Sequence, residues 1–340
     1  MDFRVLGPLQ VVAGSGPVEL ASGRQVALLA CLLIAGDEVV SRDRLIDALW
    51  GERPPPSATN SLQVHVHALR RRLGPERIAR EGPGYRLCLE AQELDRVRFE
   101  LLTARGRAEL GDGQAGAAAA TLREALELWR GPAYEDVRYE AFAQAEVARL
   151  EELRLAALED RVEADLALGR HRELGPELEA LVSEHRGRER LVAQLMLALY
   201  RSGRQTAALE VFQKARAAMQ DELGLEPGPA LHELQQAILR QDGALAPPPE
   251  PPPRSGLPAP ETSLVGRDAE LAELAALLRG GSRLVTLTGA GGIGKTRLAL
   301  AAGHALADAF ADGAHFVDLS QLTDAELVPD AIAGVLGLST

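Results

Sequence analysis

Apolar positions near the start of the chain alternate loosely: Phe3, Val5, Leu9 and Val11 flank Gly7-Pro8, which predicts a bent strand or hairpin. Residues 24–35 are almost continuously apolar and predict a buried helix. Ser41 stands as an N-cap before 42–50, and Gly51 closes that helix. Pro54-Pro55-Pro56 forces a stiff loop. In 60–73 the residues Leu62, Val66, Leu69 and Leu73 recur at helical spacing, and Gly74-Pro75 ends the run. Tyr85, Leu87 and Leu89 alternate after Glu81-Gly82-Pro83-Gly84, so 78–89 reads as a hairpin. Two short helices, a longer helix and a hairpin make the order of a winged helix-turn-helix.

From 95 to 241 the spacing becomes helical. Leu168-Gly169-Arg170 and Ser202-Gly203-Arg204 each precede an amphipathic helix, and their glycines stand 34 residues apart, the tetratricopeptide period. Gly113-Gln114 opens an earlier relative, displaced by an insertion at 131–139. Stacked helix pairs with a concave face are expected. The proline-dense stretch 246–260 cannot form a helix or a central strand and reads as an extended spacer. The fold class is therefore multidomain. It comprises an α+β winged helix at 1–92, an all-α tetratricopeptide-like domain at 95–242, a linker at 243–261 and a partial α/β P-loop domain at 262–340.

Charge sharpens this division. The net charge of −12 is spread as +1 over 1–90, −8 over 91–242 and −5 over 243–340. Arg70, Arg71, Arg72, Arg77 and Arg80 crowd one stretch against Glu76 alone. A basic element inside a neutral domain is an electrostatic footprint for phosphate, and the acidic remainder would confine contact to it. On the helix 60–73 the face opposite the apolar stripe carries Asn60, Ser61, Val64, His67, Ala68, Arg71 and Arg72, flanked by Gln63, His65 and Arg70. A major groove is read by such groups: amides for adenine, guanidinium for guanine, small apolar groups for the thymine methyl. The alternative is a solvated face whose last-turn arginines complement the helix dipole. The following hairpin, with Arg80 and Arg86, favours DNA, because a wing supplies minor-groove or backbone contacts. His65 and His67, two apart on a helix, diverge and form no metal pair.

FRVLGPLQVV, GRQVALLACLLIAGDEVVSRDRLIDALWGERPP and NSLQVHVHALRRRLG with GPGYRL resemble the output domain of SARP-type antibiotic regulatory proteins, an OmpR-like winged helix. LREALELWRGPAYED and LMLALYRSGRQTAALEVFQKARAAMQDELGLEPGPALHELQQAIL resemble their bacterial transcriptional activation domain. The resemblance runs through residue 242. It implies an activator that binds double-stranded DNA at direct repeats and pairs there as a dimer. Such an activator recruits RNA polymerase holoenzyme to antibiotic or secondary-metabolite genes. Carried over by position, Gln63, Val64, His67 and Ala68 fall at base-facing positions. Asn60, His65, Arg70, Arg71 and Arg72 fall at phosphate or base-edge positions, and 51–57 matches the loop that touches polymerase. Arg80 takes the wing role one step before Glu81, where many relatives place arginine; Ala68 stands where some carry a base-reading arginine. These departures bear on the target sequence. DNA binding of this kind requires no cofactor.

Residues 284–298 read LVTLTGAGGIGKTRL. Residues 284–287 predict a buried strand, 289–296 fit G-x-x-x-x-G-K-[ST], and 296–309 predict a helix. Gly289, Gly291, Gly292 and Gly294 let backbone N–H groups close round phosphates, Lys295 reaches the β/γ-phosphate oxygens, and Thr296 can hold Mg²⁺. The preceding 264–271, LVGRDAEL, resembles the opening motif of NB-ARC/STAND ATPases, which places Val265 and Arg267 near adenine. ATP or ADP with Mg²⁺ is the ligand expected of an intact domain. Phe316-Val317-Asp318-Leu319 reads as the second core strand rather than as a Walker B strand. Thr340 arrives before any plausible Walker B, so 262–340 reads as the N-terminal part of such a domain. Weak or absent nucleotide binding and no turnover are expected.

The chain is 46% apolar and 25% charged, an ordinary globular balance. Its longest apolar run, 26–35, is too short for a membrane helix. The N-terminus lacks the order of a signal peptide, and Cys31 and Cys88 are too few for a disulfide framework. A cytoplasmic protein with no membrane partner is expected. Trp50 and Trp129 read as packing residues, Cys31 as inert, and Glu151-Glu152 and Glu159-Asp160 as solvated faces. A DNA-binding activator leads; an ATP-driven STAND-type switch and a protein-binding tetratricopeptide scaffold are the alternatives.

Overall fold

The computed structural model describes residues 1–14, 16–246, 255–258, 266–280, 282–290, 292–306, 309–310, 314–320, 324 and 327–336. The chain divides into two units, Met1–Pro248 and Pro249–Thr340. Among the described residues no helix is long and apolar enough to cross a membrane.

The first unit opens with an antiparallel sheet of β1 (Asp2–Arg4), β2 (Gln10–Ala13) and β3 (Gly16–Pro17), with Phe3 opposite Val11. Helix α1 (Gly23–Ala35) buries Leu28, Leu29, Leu32 and Leu33. After β4 (Val40–Ser41), α2 (Arg42–Trp50) starts where the Ser41 hydroxyl accepts the Arg44 N–H at 3.2 Å. Helix α3 (Ala58–Leu73) begins two residues before the sequence pattern suggests, because the Ala58 N–H already turns onto the Pro55 carbonyl. The wing is β5 (Ile78–Glu81) and β6 (Gly84–Leu87), in a sheet ordered β4-β6-β5. A Cβ on Gly84 would lie 2.3 Å from the Val40 carbonyl oxygen, so only glycine lets β4 approach the wing there.

Packing does not stop at the sequence boundary near 93–95. Phe3, Leu28, Leu62 and Leu69 share one apolar cluster with Phe99, Trp129 and Tyr134. The Asp95 carboxylate, at the start of α4 (Asp95–Gly111), accepts the N–H groups of Val5 at 2.8 Å and Leu6 at 3.1 Å. The carbonyls of Val5 and Leu6 accept the N–H groups of Tyr134 and Arg130, each at 2.7 Å. The bend around Gly7 is thus tied on both sides to the helical region, and the two expected domains share a core.

The helical region continues through α5 (Ala115–Glu127), α6 (Ala141–Ala167), α7 (His171–Glu184), α8 (Glu189–Arg201), α9 (Gln205–Leu223) and α10 (Pro229–Leu239). The turns α4–α5, α6–α7 and α8–α9 are the same device. Gly113, Gly169 and Gly203 sit at φ 76°, 77° and 77°, and the next residue's N–H returns five residues to Glu109, Asp165 and Leu199. This double-bonded left-handed stop needs glycine at that position.

One reading of the acid runs is overturned. Glu159 and Asp160 on α6 are each only 3% exposed. Arg188 holds Glu159 at 2.8 Å, and Asp160 is held by Arg107 at 2.9 Å and Arg190 at 2.7 Å. Asp165 is shared by Arg123, Arg161 and Arg170. Helices α4, α5, α7 and α8 enclose this part of α6, and charges withdrawn from water must be paired. The Cys31 thiol is buried, which pushes its pKa up to about 11.

The second unit contains β7 (Ser255–Gly256), α11 (Asp268–Arg279), α12 (Lys295–Leu306), β8 (Ala314–His315) and α13 (Val328–Leu336). Strands β7 and β8 pair in parallel, so the expected spacer contributes a strand; 247–254 and 259–261 lie outside the described residues. The expected strand 284–287 does not form. Leu284 is 86% exposed, and among the described residues these backbone groups have no ladder partner. The expected strand 316–319 is likewise displaced to Ala314–His315. Leu274, Leu298 and Ala302 form a small core between α11 and α12.

Candidate nucleic-acid interface and phosphate loop

Helix α3 is two-faced. Leu62, Val66, Leu69 and Leu73 are all but inaccessible. Opposite them Asn60, Gln63, Val64, His67 and Arg71 are exposed, with Val64 66% accessible, and Ala68 and Arg72 are half-buried. Arg71 and Arg72 form no ion pair among the described residues. Arg80 is exposed on the wing.

Two of the expected contact residues are turned elsewhere. Arg70 donates from Nε at 2.8 Å and Nη2 at 2.6 Å to the Ile78 carbonyl. Its guanidinium therefore ties the last turn of α3 to the first residue of the wing. His65 is half-buried, with its ring 6.4 Å from that of Trp50, over which Arg24 lies at 5.5 Å. Burial, and then the Arg24 charge, hold the His65 pKa below its ordinary value, which disfavours the charged ring at this place. Arg86 is also engaged, with Glu81 at 2.6 Å and Asp37 at 2.7 Å, whereas Arg80 on the wing makes no ion pair among the described residues.

A clamp that the sequence did not reveal braces the wing from below. Arg77 donates to Glu93 at 2.5 and 2.7 Å, and the N-terminal ammonium meets the same carboxylate at 2.9 Å. Burial opposes ionisation of Glu93, but these bonds and the Glu90 N–H hold its pKa down to about 2. Glu93 lies two residues before α4, and no local pattern joins it to Arg77 sixteen residues earlier. Trp129, in contrast, packs as expected, edge-on to Phe99 at 5.3 Å.

In the second unit Gly289, Gly292 and Gly294 take φ 155°, 77° and 91°. Lys295 opens α12 and donates to the carbonyls of Gly289 and Ala290, both at 2.9 Å, while Arg267 donates to Ile293 at 3.1 Å. Thr296 is exposed in the first turn. A hollow of about 310 Å³ beside the loop is lined by Arg267, Leu277, Val285 and Lys295. Left-handed glycines followed by lysine at a helix start fit a phosphate chain. Val265 and Gly291 lie outside the described residues.

Three family models match the chain: transcriptional regulatory protein, C terminal, over 16–87; bacterial transcriptional activator domain over 94–239; and AAA ATPase domain over 263–334. The chain is 37% identical to the regulatory protein AfsR of Streptomyces griseus, over 98% of this chain and 35% of that protein. It thus spans about a third of that relative's length. It is 40% identical to the regulatory protein DnrI of Streptomyces peucetius, over 71% of this chain and 93% of that protein. Among solved structures, Mycobacterium tuberculosis EmbR in complex with a low-affinity phosphopeptide is 38% identical with a TM-score of 0.68, covering 71% of this chain and 65% of that one.

Proposed function

The chain belongs to the SARP-type family of transcriptional regulators, and from that premise we propose that α3 reads DNA sequence in the major groove. The carrying observation is the exposed row Gln63, Val64, His67 and Arg71, without ion pairs among the described residues, set opposite a wholly buried stripe. Asn60 and Arg72 flank this row and reach phosphates, and Arg80 on the wing contacts backbone or minor groove. Two copies bind adjacent direct repeats as a dimer, where effective concentration makes weak pairing sufficient. The loop 51–57 and the helical domain bring RNA polymerase holoenzyme to promoters of antibiotic or secondary-metabolite genes. No cofactor is needed for the DNA step.

Selection from random DNA duplexes at two salt concentrations tests this reading. A recovered tandem repeat whose affinity falls as salt rises supports it. Recovery of nothing above background would leave α3 a solvated face and favour a protein-binding scaffold.

The phosphate loop supports a second, regulatory role. Lys295, Thr296 and the loop N–H groups are the groups that would hold the phosphates of ATP or ADP with Mg²⁺. For this loop we propose weak or absent nucleotide binding and no turnover. Steady phosphate release, abolished by Lys295→Ala, would contradict this.

A further inference from the structure

Away from the DNA-reading face, α7 and α9 both pack on α8 and leave a trough between them. Its floor and walls are apolar, from Leu195 on α8, Val182 on α7, and Val211 and Ala215 on α9, and it encloses about 470 Å³. A second hollow of about 330 Å³ adjoins it and shares Glu179. The rim runs against the charge of its surroundings. Residues 91–242 carry a net −8, yet Arg172, Arg204 and Lys214 edge the two hollows, where Glu179 is the acid among the lining residues. Lys214 is exposed and makes no ion pair among the described residues. Arg204 meets Glu179 only at 4.0 Å, with both side chains more than half exposed, so the pair is readily exchanged for another carboxylate.

The shape and the charge specify an occupant. A trough between two helices takes a third helix, whose apolar side chains at i, i+3, i+4 and i+7 fill the floor. A cationic rim in an acidic domain selects carboxylates on that helix and rejects basic ones. Phosphodiester backbone would meet the rim but leave the apolar floor without a counterpart. We propose that the trough between α7 and α9 docks an acidic amphipathic helix of a partner protein.

The test uses the full 340-residue chain and a phage-displayed library of random peptides. Recovered peptides are synthesised with a fluorescent label and their binding is followed by anisotropy. The expected peptides carry Leu, Ile or Phe at helical spacing and an excess of Asp and Glu. Lys214→Glu lowers their affinity about tenfold, most strongly at low salt, and Ala215→Glu removes binding. Binding to the selected DNA duplex stays unchanged in Lys214→Glu, which separates this docking from the DNA role. The proposal is overturned if no peptide is recovered, if recovered peptides lack the acidic excess, or if both variants bind them like the parent chain. Displacement of the peptide by duplex DNA would overturn it in favour of a nucleic-acid site.

Discussion

Arginine serves opposite purposes in α3 and around α6. Around α6, Arg107, Arg123, Arg188 and Arg190 each meet a carboxylate of Glu159, Asp160 or Asp165 that is almost wholly withdrawn from water. On α3, Arg71 and Arg72 meet none among the described residues. The first set exists to make a charged helix buriable. The second faces solvent, where an unpaired guanidinium costs little and stays free for an external anion. A count of arginines, or a local net charge, does not separate these roles; the partner of each guanidinium does.

The strongest way to break the contrast is Asp165→Ala. It takes the Asp165 carboxylate from Arg123 and Arg170, whose side chains reach water, and leaves the buried Arg161 with Glu177 alone, so the loss should fall towards the lower end of the about 3–5 kcal/mol of a broken buried pair. Urea unfolding should show that loss; a change within the range of a surface substitution would mean that the belt is not buried in solution. Arg70→Ala comes next. Loss of its two bonds to Ile78 should cost about 1.5–3 kcal/mol in stability and weaken DNA binding with it, because the wing loses its tie to α3. A variant with reduced DNA binding and unaltered stability would return Arg70 to the DNA contacts.

His67→Ala and Arg71→Ala sharpen the same line from the other side. Each should lose about 1–3 kcal/mol of specific DNA binding while the urea midpoint holds. Unchanged binding by both would remove α3 from the interface. The smallest effect is on acid stability. The Glu93 pKa is about 2 in the folded chain, and that of Asp165 is also lowered, since its arginine partners outweigh its burial. A lowered carboxylate contributes stability above its unfolded pKa and loses it as pH falls through the folded one. Unfolding free energy should therefore decline from about pH 5 towards pH 2. Asp95, whose pKa burial raises, opposes this in part. A profile flat through that window would contradict the clamp.

Local signals carried much of the fold. The bounds of α2 follow from Ser41 and Gly51, and the buried stripe of α3 follows from its spacing, because cap and amphipathic face are decided within a few residues. The three glycine turns are legible for the same reason. The tie from Asp95 to Val5 spans 90 residues and left no local trace. Glu159-Asp160 looked like a solvated run because its burial is set by four other helices. Strand 284–287 had the apolar content of a strand, but pairing is a property of two segments. Within the site, Arg70 and Arg71 are adjacent and chemically identical; rotation by about 100° aims one at Ile78 and the other at solvent. The exposed row was thus readable, whereas the turning away of Arg70 and His65 depended on where the wing and Trp50 came to rest.

The most direct test is the salt dependence of binding to the selected duplex, measured side by side for the parent chain and Arg71→Ala. If the Arg71 charge lies against the DNA, at a base edge or its neighbouring phosphate, the parent's affinity falls steeply with salt, and the variant binds more weakly with a log–log slope shallower by about 1. Coincident affinities and slopes would contradict the assignment of α3 as the reading surface.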